Sequence, residues 1–337
     1  MGIPMQEEIV RAHFHEYYAG IDAEKLFIPD LPKREFGFLR PDKREMIRHL
    51  SFYDVSSLKS YLMSIPISHV YSSTAIYRDP SNKDMNAKGW EGSDMVFEFD
   101  ADHVKQLKDK PNVRSGVLDG SDWSLIKDHT WRLVNDFLLD DFGFSQNDIS
   151  INFSGNRGFH VRVSSKPYLQ LSQEGRRRLA SYINGADLDV DLIYSKLKQR
   201  GRAKIIALSQ PGWMSKVAKV IGDGQNSVEE AIDSIALDID ENVLLDLHRL
   251  IRHVNTLHAS TGMIVMPVRD LESFVPYEDA LVPCDEEVRV KFGDLRPYSG
   301  ISVGGLTLSE GLSGKDMRVN RSVAVFLVLK GLAQGNN

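Results

Sequence analysis

The sequence predicts a mixed α/β fold with a helical insertion, and three observations predict it. Short runs rich in β-branched and aromatic residues alternate with amphipathic helical patterns over residues 1–165. From about residue 166 to 235 the pattern becomes mostly helical. A strand-like run, "MIVMPV" (263–268), and an apolar closing helix, "RVNRSVAVFLVLKGLA" (318–333), then return the chain to its first half. The expected organisation is a mixed-sheet core of residues 1–165 and 236–337, with a helical subdomain over 166–235.

Each element follows from its own pattern. Ile9, Val10, Phe14, Tyr17 and Tyr18 recur near the 3.6-residue period and predict a helix over 5–19. "REFGFLR" (34–40) and "EMIRHLSF" (45–52) read as strands joined by the turn "PDK". A helix is expected over 55–64, and "HVYSSTAIY" (69–77) reads as one strand. "RDPSNKDMNAKGWEG" (78–92) reads as a polar loop, and "DMVFEFDA" (94–101) as a strand. Residues 122–142 carry a long amphipathic helix pattern. "ISINFSG" and "GFHVRVS" flank "GNR" as a hairpin. "SQEGRRRLASYI", "LIYSKLKQR" and "SVEEAIDSI" supply the helical insertion. No internal repeat or low-complexity tract is present.

Composition sets the outer limits. The chain has 337 residues, 42% of them hydrophobic, and a formal net charge of -6. That suffices for one large domain or two modest ones. The acidic balance argues against indiscriminate coating of DNA, but a local basic cleft does not show in a total. The single cysteine, Cys284, rules out an intramolecular disulfide and any multi-cysteine zinc site. No stretch approaches the roughly 20 apolar residues of a membrane span. The charged N-terminus has no apolar signal region and no myristoylation signal. A cytoplasmic protein without a membrane partner is expected.

Three stretches carry chemistry. In "SDMVFEFDADHV" (93–104), strand alternation puts Val96, Glu98, Asp100 and Asp102 on one face and Met95, Phe97, Phe99 and Ala101 on the other. Like charges on one face call for compensation, and a divalent cation with oxygen ligands, Mg²⁺ or Mn²⁺, supplies it. A solvated edge strand is the bland alternative. In "FSGNRGFHVRV" (153–163), Gly155 and Gly158 allow a tight turn, and Ser154, Arg157 and His160 offer donors to an anion such as phosphate. A plain hairpin turn competes with that reading. In "LDIDENVLLDLHRLIRHVNTLHASTG" (237–262), Asp238 and Asp240 precede Arg252 and His258. Alone, that span reads as an ordinary charged surface helix. Together the three supply acids for metals and basic groups for a triphosphate, the equipment of nucleotidyl transfer.

"REFGF", "MIRHLSF", "HVYSSTAIY", "KGWEGSDMVFEFDADHV", "DFGFSQNDISINFSGNRGFHVRV" and "DENVLLDLHRLIRHVNTLHASTG" follow one another in this order. Together they resemble the catalytic small subunit of archaeal DNA primases, in the archaeo-eukaryotic primase superfamily, over nearly the whole chain. The resemblance implies that superfamily's catalytic core. It implies synthesis of RNA primers, with DNA primers as the further option, on single-stranded DNA from NTPs or dNTPs, in a heterodimer with a non-catalytic large subunit. The family's Asp-hydrophobic-Asp metal motif falls on Glu98-Phe99-Asp100, with Glu in place of the first Asp. A second register, Asp100-Ala101-Asp102, keeps both aspartates but shifts the match by two. The family's third acid matches Asp240. Its phosphate motif falls on Ser154, Gly155, Asn156, Arg157, Gly158 and His160, with Asn156 where the eukaryotic form has a second arginine. Arg252 and His258 match the later phosphate-binding motif, and Glu35 and Arg48 match positions near the nucleotide.

Many relatives carry a Cys/His zinc site between the first acids and the Ser-Gly motif. Residues 103–150 contain no cysteine, and His103 and His129 cannot form a four-ligand site. No structural zinc is expected. The rival readings are a gap-filling repair polymerase of the same superfamily and a catalytically weak nucleic-acid-binding homologue. The first usually accompanies ligase or end-joining modules, and the second would not need the acids.

Overall fold

The structure, a computed structural model, describes residues 5–41, 45–198, 211–222 and 227–335. The first half of the chain contributes helix α1 (Met5–Gly20), strands β1 (Phe36–Leu39) and β2 (Ile47–Leu50), helix α2 (Val55–Ser64), and strands β3 (His69–Ser73), β4 (Ala75–Tyr77), β5 (Trp90–Ser93) and β6 (Met95–Asp100). Helices α3 (Pro111–Ser115) and α4 (Gly120–Arg132) precede strands β7 (Ile149–Phe153) and β8 (Gly158–Val163). Helices α5 (Gln173–Asn184) and α6 (Val190–Leu197) follow, then unlabelled helices at Trp213–Ile221 and Val228–Ile235. The remaining strands are β9 (Leu250–Arg252), β10 (Met266–Pro267), β11 (Glu287–Phe292), β12 (Ser302–Val303), β13 (Leu306–Thr307), β14 (Asp316–Asn320) and β15 (Ala333–Gly335).

Two antiparallel sheets position the site. The first has the order β2-β1-β3-β9, the second β10-β7-β8-β6. Phe36 and Phe38 of β1 are fully buried in a cluster with Phe14 and Tyr18 of α1 and Leu58 and Leu62 of α2. In the second sheet, Met95, Phe97 and Phe99 pack with Phe153, Phe159 and Val161 in the main core. Trp123 and Ile126 of α4 cover that face.

The opposite face of the second sheet turns toward the first. Val96 packs against Ile251 of β9 and Val243 of the short helix Glu241–Leu245. Ser72, Val96, His160, Arg162 and Arg252 line one small cavity between the sheets. The seam is clamped by buried Asp94, with Arg34 at 2.8 Å and Arg162 at 3.8 Å. Arg176 of α5 donates to the carbonyls of Ser93, Asp94 and Leu244. The apolar faces of the insertion helices, including Ala180, Ile183, Trp213, Val217 and Ala231, join the main core.

Several elements differ from the sequence expectation. The run 69–77 forms two strands, because the chain leaves the first sheet at Thr74 and β4 pairs instead with β5. The expected polar loop therefore ends before Trp90. The helix of 122–142 is α-helical only to Arg132 and continues as a wider π-type turn over Leu133–Leu139. The strand expected over 263–268 shrinks to β10 plus a bridge at Ile264. The closing helix spans only Arg321–Leu329: Asn320 caps its start and Gly331, at φ 70°, follows its end. Its flanks are strands of a third sheet, β14-β11-β15. Residues 42–44, within and next to the turn "PDK", and the end of the "LIYSKLKQR" helix fall outside the described residues.

Candidate functional site

The site forms where β6 ends beside the β7–β8 turn. Glu98 pairs with His160 and Asp100 with Gly158 across β6 and β8, and His160 pairs with Asn152 across β7 and β8. Gly158 is required by close approach: a Cβ there would lie 1.7 Å from the carbonyl oxygen of Phe99. Gly155 is required by conformation, with φ at +82°, and a Cβ there would meet the His258 side chain at 2.8 Å. Thr261 Oγ1 donates to the Gly155 carbonyl at 2.6 Å. The turn 154–158 and the loop 258–261 are thus interlocked. Asp240 joins from the other side: its backbone N–H donates to the Glu98 carbonyl at 3.3 Å.

The acids form a chain of contacts. His160 Nε2 lies 3.3 Å from Glu98 Oε1. Arg157 spans two aspartates, with Nε 3.0 Å from Asp100 Oδ1 and Nη2 2.6 Å from Asp102 Oδ2. His103 stands between Asp102, at 3.9 Å, and Asp240, at 3.6 Å. Burial pushes Glu98 up, but His160, Arg249 and His103 outweigh it and bring the carboxyl down to about 2. Asp100 goes the other way. Burial, with the charges of Asp102 and Glu98 adding to it, overcomes Arg157 and pushes Asp100 up to about 6.

One guanidinium serves both aspartates. Asp100 Oδ1 and Asp102 Oδ1 are buried and accept no well-aligned hydrogen bond, although Arg157 Nε stands 3.0 Å from the first. Among the described residues no group of three His, Cys, Asp or Glu side chains is already converged on a metal position. The donor set nevertheless fits a hard divalent cation: oxygen ligands, excess negative charge and two carboxylate oxygens without a well-aligned hydrogen bond.

The basic side adjoins. Arg252, opposite Tyr71 in the β3–β9 ladder, lies over the Tyr71 ring and hydrogen-bonds His69. The His69 and His258 rings meet edge to face, with centroids 4.9 Å apart. His258 Nδ1 accepts from the Ser260 N–H at 3.1 Å, which leaves Nε2 as its free donor. Burial, then the charges of Arg252, His69, Lys330 and Arg157, holds His258 neutral, well below the usual imidazole range. An electropositive pocket therefore abuts the acid face, the arrangement that holds a polyphosphate beside metal-binding carboxylates.

The family model for the DNA primase small subunit matches residues 99–270. The DNA primase small subunit of Thermoplasma acidophilum is 32% identical to this chain over 95% of it and 98% of the relative. That of Thermoplasma volcanium is 34% identical over 81% of each chain. That of Pyrobaculum calidifontis is 32% identical over 87% of this chain and 88% of the relative. The chain belongs to the DNA primase small subunit family. It is a nucleotidyltransferase. Among solved structures, the polymerase domain of Mycobacterium tuberculosis ligase D, in complex with DNA, aligns with 78% of this chain and 81% of that one. Its TM-score of 0.41 at 11% identity is too distant to bear on function.

In this primase-family chain the sequence-read residues fall into two places. Glu98, Asp100, Asp102, Asp240, Ser154, Arg157, His160, Arg252 and His258 gather along the seam between the two sheets. Asp102 lies in the turn after β6, not on the strand face, because the strand stops at Asp100. Asp238 pairs with Lys105 at 3.1 Å. Glu35 and Arg48 form a separate group at the start of β1 and in β2. Glu35 Oε1 lies 3.0 Å from Arg48 Nε, and Glu35 Oε2 lies 3.3 Å from buried Lys88. His129 packs on the Phe99 ring inside the core. Sequence reading missed His103, Arg249 and Lys330 as neighbours of the site. His103 follows the acidic motif directly and could have been suspected. Lys330 lies far along the chain and carries no motif.

Proposed function

We propose that this chain is the catalytic subunit of a DNA primase, joining ribonucleotides, with deoxyribonucleotides as a further substrate, on a single-stranded DNA template. The observation that carries the reading is the meeting, through Arg157, of the acid face of β6 with the basic pocket of Arg252 and His258. Glu98, Asp100 and Asp240 would hold Mg²⁺ or Mn²⁺, with Asp102 replacing Glu98 in the second register. Bound cations would neutralise the acids and the triphosphate and lower the pKa of the attacking 3′-hydroxyl.

The chain's own residues do the rest. Ser154, Arg157, Arg252 and His258 orient the triphosphate so that the hydroxyl oxygen faces the α-phosphorus and pyrophosphate leaves on the opposite side. His160 fixes the rotamer of Glu98. Arg157, released from Asp100 and Asp102 when their charge is otherwise matched, presents its fork to phosphate oxygens. Glu35 holds Arg48, whose side chain is 39% exposed, in a group apart from the acid face. Nucleic acid and nucleotides are the substrates this reading requires. A large subunit is the partner the family resemblance implies, and the net charge of -6 argues against indiscriminate DNA coating by this chain alone. Among the described residues no helix is long and apolar enough to cross a membrane.

The test is primer synthesis on a single-stranded template. NTPs are compared with dNTPs, Mg²⁺ with Mn²⁺ and with EDTA, each with and without the large subunit. Metal-dependent, template-dependent product is expected. Template-dependent filling of gaps without synthesis on single strands would favour the repair-polymerase reading, and no product at all the non-catalytic one.

A further inference from the structure

We propose that Lys330, at the end of the closing helix, is a phosphate-binding residue of the nucleotide site, delivered there by Asn156. The inference rests on the nucleotide-site reading above and adds a residue to it. Lys330 Nζ donates to Asn156 Oδ1 at 2.8 Å, in the middle of the 154–158 turn. An ammonium has three donors, and this bond uses one. The ammonium also passes close over Gly116, where an added Cβ would come within 2.5 Å of Nζ and 3.6 Å of Arg157 Cδ. Lys330 and Arg157 therefore share one pocket, and both charges act on His258.

The fold fixes this lysine unusually well for its type. Its backbone N–H closes the helix Arg321–Leu329 onto the Phe326 carbonyl at 3.0 Å. That helix is buried through Val323, Ala324, Val325, Phe326 and Leu327. Three residues later the chain pairs again, as Ala333 joins β11. A lysine held between a buried helix and a paired strand loses less freedom on binding than a surface lysine would. Among the described residues no carboxylate forms an ion pair with it. Its hydrogen-bond partner is the neutral Asn156, and its closest charged neighbour in effect is the like-charged Arg157, with Asp100 a lesser influence. Arg157 is matched by Asp100 and Asp102, whereas Lys330 brings a second cation beside it without an ion pair of its own, and an anion entering the pocket would match that charge. A neutral residue at 156 thus recruits its cation from the far end of the chain.

The experiment titrates NTP in primer extension with wild type, Lys330→Gln, Lys330→Arg and Arg157→Ala. Direct binding of a nucleoside triphosphate and its monophosphate is measured in parallel, and folding is checked by circular dichroism. Lys330→Gln is expected to raise the NTP KM about tenfold, the low end for a lost charge-assisted bond. Its monophosphate affinity should stay within about twofold of wild type, and Lys330→Arg should retain most NTP affinity. Adding Asn156→Arg to Lys330→Gln should recover affinity by supplying a cation from the turn itself. If Lys330→Gln keeps the wild-type KM while Arg157→Ala raises it, the Lys330 assignment is wrong and the site stands. Equal weakening of monophosphate and triphosphate also overturns it, in favour of a structural role. If neither variant changes NTP use, the nucleotide-site reading itself fails.

Discussion

Glu35, fully buried just before β1, and Asp100, largely buried at the end of β6, are carboxylates at strand termini, and the chain treats them in opposite ways. Around Glu35 it supplies Arg48 at 3.0 Å, Lys88 at 3.3 Å, and the His49 backbone N–H at 3.3 Å. Lys88 is itself fully buried and also donates to the Pro80 carbonyl. Asp100 must share a single guanidinium with Asp102, and Glu98 repels it from the next position along the same face. A buried charge matched within the chain is part of the architecture. A buried cluster left short of positive charge is arranged for something the chain does not contain. Charge compensation separates scaffold from chemistry better than burial alone, since both carboxylates lie largely out of solvent.

The same change, carboxylate to amide, therefore has different consequences in the two regions. Asp100→Asn should nearly abolish primer synthesis and leave a folded protein. Glu35→Gln should strand the Lys88 charge and cost about 3–5 kcal/mol of stability, the range for breaking one side of a buried pair. Urea unfolding and primer synthesis, run on both variants, draw the contrast. An active, well-folded Asp100→Asn protein would sink the acid-face reading. A Glu35→Gln protein as stable as wild type would erase the distinction between the regions.

The next test sharpens the acid face itself. With Glu98-Phe99-Asp100 as the metal motif, Glu98→Gln should be nearly as damaging as Asp100→Asn, and Asp102→Asn should keep much of the activity. With Asp100-Ala101-Asp102, the order of Glu98 and Asp102 reverses. Geometry pulls both ways. Glu98 shares the strand face with Asp100 and adjoins Asp240, while the carboxylate oxygens short of a well-aligned hydrogen bond are on Asp100 and Asp102. Mg²⁺ demands near-octahedral geometry at about 2.0–2.1 Å, so activity should be compared in Mg²⁺ and Mn²⁺.

On the basic side, Arg157→Ala and His258→Ala should each cost about 1.5–3 kcal/mol in nucleotide use, the value of a hydrogen bond to a charged group. That is roughly a 10- to 150-fold rise in NTP KM, with folding retained. His258 is held neutral, so its variant should lose less than Arg157→Ala, and a reversal of that order would show that His258 acts as a cation.

The sequence made the acid strand and the Ser-Gly turn legible because both are local. Period-2 alternation put Glu98 and Asp100 opposite Phe97 and Phe99, and the β6–β8 register keeps them there. The partners of those residues were not local. Lys330 reaches Asn156 across 174 positions, and no spacing rule links them. The third sheet was missed for a similar reason. β11 alternates charged and apolar residues cleanly, Glu287 to Phe292, but its partners β14 and β15 lie on either side of the closing helix, where the apolar run of 318–333 absorbed their ends. The closing helix was legible as a helix but not in extent, since its capping Asn320 and the turn at Gly331 lie inside an apolar run. Asp102 shows the limit of alternation as a rule: it predicts a face only while the strand lasts, and β6 ends two residues earlier.

The smallest expected effect is the most direct test of the comparison, because it needs no substrate. In the folded protein Asp100 titrates at about 6, raised from 3.8. The folded state thus binds this proton more tightly than the unfolded chain does. The associated stability is present below about pH 4 and is lost as pH rises toward 6. Above that window the metal-free protein carries an ionised Asp100 at a cost. A shift of about two units corresponds to on the order of 3 kcal/mol, and partial solvent access around the side chain trims this to about 1–2 kcal/mol. Asp100→Asn removes the charge, and Arg157 keeps Asp102 as its partner at 2.6 Å. In EDTA at pH 8 the variant should therefore be more stable than wild type in urea unfolding, with the difference shrinking toward pH 4. Mg²⁺ should reverse the order by stabilising wild type alone. A variant less stable than wild type at pH 8 in EDTA would mean that Asp100 is as well compensated as Glu35, and the two regions would no longer differ in kind.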